Sequence, residues 1–231
     1  MIDLHTHILP KLDDGSQSVE QSEQMLRRAF DEGITLAVAT PHFDAQRQAP
    51  EEFLRRRKEA FESLNLTKSM PKLLLGAEVA YFSGIGQIRQ LRELCIGKSK
   101  LLLLEMPFRS WSQRIVDDVL LLRRRLGVIP VLAHIERYRK VPDFADYLSQ
   151  MLSQGVLTQC NAKAITDWLL RRRSLQMLEA GEICFIGTDC HNMTTRPPEM
   201  RSAERRLRKH FGDQWLQQLC ERQTALLREE A

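Results

Sequence analysis

The sequence predicts an α/β protein built as a single domain, residues 1–231, of seven parallel strand–helix units followed by terminal helices. Three observations carry this. Seven short apolar runs recur along the chain, and each ends in a metal-ligand residue or another polar residue. The runs are mostly apolar throughout rather than alternating, as strands are when helices cover one face and a packed core the other. Between them lie segments with apolar residues at helical spacing, several closed by glycine. A parallel repeat of this kind sets all strand ends on one face, where the functional groups of barrel enzymes gather. A closed or nearly closed barrel is expected, with a doubly wound open sheet as the alternative.

The first run, Met1–Leu4, delivers His5-Thr6-His7. Ser18-Val-Glu-Gln21 has capping-box spacing, and Met25, Leu26, Ala29 and Phe30 then form a stripe closed by Gly33. Ile34–Thr40 leads to His42, and a second helix covers about Pro50 to Leu64. Leu73–Ala77 ends in Glu78, and Leu101–Leu104 in Glu105. Ile115, Val119, Leu122 and Leu126 make a helical stripe that stops at Gly127. Val128–Ala133 leads to His134, after which Pro142 opens a helix carrying Phe144, Tyr147, Leu148, Met151 and Leu152 as far as Gly155. Val156–Cys160 ends in Asn161, a helix covers about Asp167 to Ala180, and Ile183–Thr188 leads to Asp189 and His191. Helices over Pro198 to about His210 and over Gln214–Arg228 finish the chain.

No apolar stretch approaches the ~20 residues that a bilayer span requires, so no membrane insertion is expected. The opening Met-Ile-Asp-Leu-His has neither a basic leader nor a cleavable apolar segment, which makes a cytoplasmic location the expectation. Five scattered cysteines, none in a CxxC pair, point to free thiols in a reducing compartment and to no zinc–thiolate site. The net charge of +4 is mild. The arginine runs at 55–57, 123–125, 171–173 and 205–206 fall in predicted helices among glutamates and apolar residues. They read mainly as solvated helix faces, and no nucleic-acid partner is expected.

Residues two apart in an extended segment point the same way, so His5 and His7 can reach one ion. Paired histidines also occur in structural settings, and this pair alone decides nothing. Five of the six histidines, however, stand at predicted strand ends: His5, His7, His42, His134 and His191. Only His210 sits apart, in a basic helix. That clustering favours metal binding. Glu78 and Glu105 each end a leucine-rich strand, where an unpaired buried charge costs on the order of several kcal/mol. A salt bridge to a neighbouring arginine is the structural alternative for either one. Asp189-Cys190-His191 repeats the spacing of His5-Thr6-His7. Asp13 and Asp14 precede Gly15 beside the first strand, one as a turn or cap residue and the other as a ligand, and the spacing does not choose between them.

The stretches MIDLHTHILPKLDDGS, ATPHF, GAEV, LLLLEMPF, PVLAHIERY and GTDCHNMTTRPP together resemble the PHP (polymerase and histidinol phosphatase) superfamily. They resemble in particular its bacterial protein-tyrosine-phosphatase branch, linked to capsule and exopolysaccharide synthesis. The HxH opening is general to the superfamily, whereas DDG, AHIERY and the DxHN…RPP ending are specific to that branch. The resemblance covers essentially the whole chain. It implies a distorted TIM-like (β/α)7 barrel and three divalent metal ions, manganese first, with iron or zinc also suited to nitrogen and oxygen ligands. It implies that His5, His7, Glu78 and Asp189 hold one ion, and that Glu78 bridges to a second completed by Glu105 and His134. Asp14, rather than Asp13, would join His42 and His191 around the third. Arg137 and Arg196 match positions associated with phosphate binding, and Asn161 is expected to line the pocket.

The implied chemistry is coherent. Four carboxylates against three divalent ions leave a shell of about +2, suited to a phosphate dianion. Metal coordination lowers a water's pKa from about 15.7 towards roughly 7, which supplies a nucleophile for in-line attack at phosphorus. A tyrosyl group leaves with a pKa of about 10, so an obligatory general acid is unnecessary. The implied substrate is a phosphotyrosine protein, with a membrane-associated bacterial tyrosine kinase as partner. The rival readings are a small-molecule phosphatase such as histidinol-phosphate phosphatase, a phosphodiesterase, and a non-catalytic metal-stabilised scaffold; the full ligand set argues against the last. Cys190 and Arg196 also have the C-x5-R spacing of cysteine-based phosphatases. The interior His-Asn-Met-Thr-Thr lacks the glycine such a phosphate loop needs, and two prolines follow the arginine. Cys190 is therefore expected to be a packed free thiol.

Overall fold

Each of the seven apolar runs forms a parallel strand, and two of them break in mid-course. The structure, a computed structural model, describes residues 1–228 of the chain. β1 spans Ile2–Thr6. The second run divides into β2, Leu36–Ala39, and β3, His42–Phe43; the third divides into β4, Lys72–Leu75, and β5, Glu78–Ala80. β6 (Leu101–Glu105), β7 (Ile129–Leu132), β8 (Leu157–Asn161) and β9 (Phe185–Gly187) are continuous. Pro41 sits in the first break, where it has no N–H to give the ladder. Pairing still crosses both breaks: Gly76 N donates to Ala39 O at 2.8 Å and Glu78 N to Pro41 O at 3.1 Å.

Strands pair in chain order, β1–β2–β4 and then β3–β5–β6–β7–β8–β9, all parallel. The last run returns to the first through a parallel bridge between Thr6 and Cys190. Asp189 N donates to His5 O at 2.8 Å and His7 N to Cys190 O at 2.9 Å across the same seam. The fold is thus α/β with a curled parallel sheet, the distorted barrel expected, and this strand order excludes the doubly wound alternative.

Alternate residues along the strands face two different cores. Ile2, Leu4, Val38, Leu101, Leu103, Val131 and Phe185 form one buried cluster, with Leu227 against it. Their neighbours Ala37, Leu102, Leu104, Leu132 and Ile186 join a larger cluster built with the helices. Those helices are α1 (Val19–Asp31), α2 (Pro50–Glu62), α3 (Gln113–Leu126), α4 (Phe144–Ser153), α5 (Ala162–Thr166), α6 (Arg171–Glu179), α7 (Arg201–Phe211) and α8 (Asp213–Arg228). None is long and apolar enough to cross a membrane.

Several local expectations change for physical reasons. Ser18 does cap α1, accepting from Gln21 N at 3.2 Å, but in return Gln21 Oε1 accepts from Gln17 N at 2.8 Å, so the box is displaced by one residue. The helix expected from Pro142 begins at Phe144, because Asp143 before it has φ of +55°. The helix expected from Asp167 begins at Arg171, since the Asp167 carboxylate turns back to accept from Leu169 N and Leu170 N. Arg57 departs from the reading of solvated arginine runs: it is buried, donating to Gly76 O at 2.7 Å and Glu93 O at 3.1 Å. It therefore ties α2 to the break between β4 and β5.

Candidate metal centre

The C-terminal ends of the strands bring all nine predicted ligand residues into one cluster, with Glu78 at its middle. β1 carries one extra residue against β2, because Asp3 opposes Ala37 while Thr6 opposes Ala39. Such a bulge re-aims side chains. Leu4 lies in the inner core while His5 and His7 meet with their Nε2 atoms 3.0 Å apart. Glu78 Oε2 lies 3.1 Å from His5 Nε2, 3.3 Å from His7 Nε2 and 3.0 Å from His42 Nδ1. Its other oxygen, Oε1, lies 3.0 Å from His134 Nε2, which is also 3.3 Å from Glu105 Oε1. Asp189 Oδ1 is 3.5 Å from both His5 Nε2 and His7 Nε2. On the outer side, Asp14 Oδ1 is 3.5 Å from His42 Nε2 and 3.4 Å from His191 Nε2.

Three overlapping groups have ligand atoms close enough to share an ion: His5, His7 and Asp189; His42, Glu78 and Glu105; and His7, Asp14, His42 and His191. The sequence grouping placed His7 only with the first and His42 only with the last. The geometry lets both imidazoles serve two groups. Among the described residues no arginine pairs with Glu78 or Glu105, so the salt-bridge alternative for those glutamates is overturned.

The cluster fits cations by its own chemistry. Glu78 Oε2 and His191 Nε2 are buried with no hydrogen-bond partner, although imidazole or carboxylate atoms approach both. Buried polar atoms that converge without hydrogen-bond partners are expected around a bound ion. Burial by itself would raise the Glu78 carboxyl, yet the His5, His134 and His42 imidazoles hold it well below the carboxylate range. Burial likewise opposes charge on His134, and Glu105 and Glu78 still push it up to about 9. His191, by contrast, is lowered to about 4, by burial and then by the nearby His7 and Arg196 charges. Divalent ions are a strong counter-charge for such a donor set.

Two site residues sit in strained backbone. His134 has φ of +33° and Asp189 +55°, a region that residues with side chains rarely occupy. Asp189 and His191 both face the cluster while Cys190 packs in the core, but not through an extended strand: β9 ends at Gly187, and Asp189 sits in a left-handed turn.

Both predicted phosphate-binding arginines reach the cluster at Asp189. Arg137 Nη2 lies 2.6 Å from Asp189 Oδ2, and Arg196 Nη2 lies 2.7 Å from Oδ1. Asn161 Nδ2 donates to the same Oδ2 at 3.0 Å, which places Asn161 in the pocket wall as expected. Cys190 is fully buried, and burial with the Asp3 charge pushes its thiol far above the ordinary range. All five cysteines are free.

The sequence reading missed residues that hold the ligands in place. Asp13, the carboxylate left undecided, is buried and accepts from His42 N at 2.9 Å and Gly15 N at 2.9 Å, with His7 Nδ1 at 2.6 Å. Asp14 is exposed and faces His42 and His191. Gln159 Oε1 meets His5 Nδ1 at 3.2 Å and accepts from His134 N at 2.8 Å. Asp3 accepts from Thr188 N at 2.8 Å, joining β1 to the segment that carries Asp189. The double Asp before Gly15 was a visible signal; nothing in sequence marked Gln159. Phe108 also went unremarked: its ring is half exposed and stacks on His134, with centroids 5.7 Å apart and planes at 18°.

Residues 1–228 match the family described as capsular polysaccharide synthesis, CpsB/CapC. The tyrosine-protein phosphatase YwqE of Bacillus subtilis is 31% identical, over 99% of this chain and 92% of its own. The tyrosine-protein phosphatase CpsB of Streptococcus pneumoniae is 27% identical, over 92% of this chain and 91% of its own. A chain from the crystal structures of YwqE from B. subtilis and CpsB from S. pneumoniae, described as unique metal-dependent tyrosine phosphatases, superposes with a TM-score of 0.86 at 29% identity. It covers 100% of this chain and 96% of that one.

Proposed function

The chain belongs to the CpsB/CapC family of capsular polysaccharide synthesis; it is a metal-dependent tyrosine phosphatase, and we propose how its own residues perform that reaction. The observation that carries the proposal is the convergence of five histidines and three further carboxylates around Glu78. Three divalent ions, manganese first, would be held by His5, His7, Glu78 and Asp189; by Glu78, Glu105 and His134; and by Asp14, His42 and His191. Bound there, the ions would supply Lewis-acid neutralisation of a phosphoryl group and a water acidic enough to ionise near neutral pH.

The chain supplies the rest. Arg137 and Arg196 carry forked, permanently charged donors suited to phosphoryl oxygens. They reach the cluster from one side, and both now lie on Asp189. Asn161, donating to that carboxylate, orients it between the two guanidiniums. Phe108 offers an aromatic face beside His134, where a tyrosyl ring can stack while its phosphate enters the cluster. Phenolate is a good leaving group, with a pKa of about 10, so no side chain has to protonate it. The cytoplasmic protein substrate would be a bacterial tyrosine kinase that controls polysaccharide synthesis.

Rates on a phosphotyrosine peptide, histidinol phosphate and a phosphodiester, compared on one metal-loaded preparation, test this reading. The peptide should be preferred by more than about tenfold. A preference for histidinol phosphate or for the diester would replace it with one of the small-substrate alternatives.

A further inference from the structure

Three neighbouring cavities on the β7–β8 side of the cluster share wall residues, each with the next. The first, about 430 Å³, has Arg137, Asn161, Lys163 and Arg196 in its wall. The second, about 440 Å³, shares Arg137, Asn161 and Lys163 with the first and adds Arg139 and Lys140. The third, about 270 Å³, shares Glu136, Arg139 and Leu170 with the second and adds Phe144, Leu169 and Met177, with Arg173 among them. Together they make a trough whose character changes along its length: paired guanidiniums, then further cations, then a more apolar stretch that still carries Arg173.

The middle stretch carries more cations than acids: Arg137, Arg139, Lys140 and Lys163 share its wall with Glu136 and Asp167. Arg139, Lys140 and Lys163 are exposed, and none takes part in an ion pair among the described residues. Those two acids are held by backbone N–H groups rather than by these cations. Asp167 Oδ1 accepts from Leu169 N at 2.8 Å and Leu170 N at 3.1 Å, and Glu136 Oε2 accepts from Asn161 N at 3.3 Å. At the far end Trp168 and Leu169 stand 78% and 56% exposed, side by side, which is costly without an occasional apolar partner.

We infer that this trough seats the polypeptide flanking the phosphotyrosine, with acidic side chains over Arg139, Lys140 and Lys163 and an apolar side chain against Phe144, Leu169 and Met177. The inference rests on the tyrosine-phosphatase reading above and names the sequence class of its protein substrate. Charge complementarity and continuity argue for that occupant, since Arg137 lies both in the phosphate clamp and in the wall of the first two cavities. Cavities of this size each take about two residues of extended chain, so the apolar anchor falls roughly four to six residues from the phosphotyrosine. Contacts so far from phosphorus act equally on bound substrate and transition state, and so appear in KM rather than kcat.

The test uses two phosphotyrosine peptides, one with acidic residues followed by leucine and one with asparagine and glycine in their place, beside p-nitrophenyl phosphate. Wild-type protein should favour the acidic peptide in kcat/KM by about tenfold, and raised salt should shrink that margin. Arg139→Glu with Lys163→Glu should erase the preference through KM, and Leu169→Ser should lose the part due to leucine. Both variants should keep p-nitrophenyl phosphate hydrolysis within about twofold. Equal rates on the two peptides in wild type would overturn the inference. So would a loss shared equally by p-nitrophenyl phosphate, which would place these residues in catalysis instead. Fluorescence anisotropy with non-hydrolysable phosphonate versions of the peptides reads docking without turnover. If that ranking holds while no peptide is hydrolysed, the trough stands and the phosphatase reading falls.

Discussion

Asp13 Oδ2 lies 2.6 Å from His7 Nδ1, so the imidazole is gripped by a buried carboxylate on the side away from Glu78 and Asp189. A charged acceptor on one ring nitrogen fixes the tautomer and orientation of the other and raises its basicity. Asp13→Asn should therefore lower divalent-metal affinity by about 10–100-fold while the far-ultraviolet circular dichroism stays unchanged. Competitive titration against a chelator reads the affinity. An unaltered affinity would reduce Asp13 to a turn residue.

Arg196 and Arg137 meet on the two oxygens of Asp189, at 2.7 and 2.6 Å. Lysine offers charge without the fork, so Arg196→Lys should lose about 100-fold in kcat/KM towards a phosphotyrosine peptide. Inhibition by inorganic phosphate should weaken in parallel. Wild-type phosphate inhibition in this variant would remove Arg196 from the phosphate clamp.

Cys190 has the spacing of a thiolate nucleophile but sits fully buried, with its thiol pushed up by burial. It stays protonated through the neutral range and has no access to substrate. Cys190→Ala should keep kcat within about twofold while lowering thermal stability by about 1 kcal/mol, the scale of a small core truncation. Loss of activity with the fold and bound metal intact would restore the thiolate mechanism.

Gly187 lies where β9 crosses β1, and an added Cβ would come within 2.6 Å of His5 Cβ and 3.0 Å of His5 N. Neither atom can move without opening the seam that carries Asp189. Gly187→Ala should cost about 1–3 kcal/mol in urea unfolding and depress activity as well. A neutral substitution would show that the seam tolerates separation.

Much of this site was legible because strand chemistry is local. His5 and His7 follow an apolar run, and Glu78 and Glu105 end others; a parallel repeat then brings them together whatever their distance in sequence. The same locality explains what stayed hidden. The bulge in β1 and the left-handed turns at His134 and Asp189 are imposed by packing across the seam, and no residue beside them announces it. Asp13 and Asp14 are chemically identical, and only the fold around Gly15 buries one and exposes the other. Arg57 looked like part of a solvated run because a buried guanidinium needs carbonyl partners, at Gly76 and Glu93, that lie far along the chain.

Phosphotyrosine-peptide hydrolysis by protein stripped with chelator, with residual metal quantified on the same sample, tests the central claim most directly. Activity should vanish with the last bound metal and return when manganese is restored in proportion to the ions taken up. Full turnover by demonstrably metal-free protein would contradict the account.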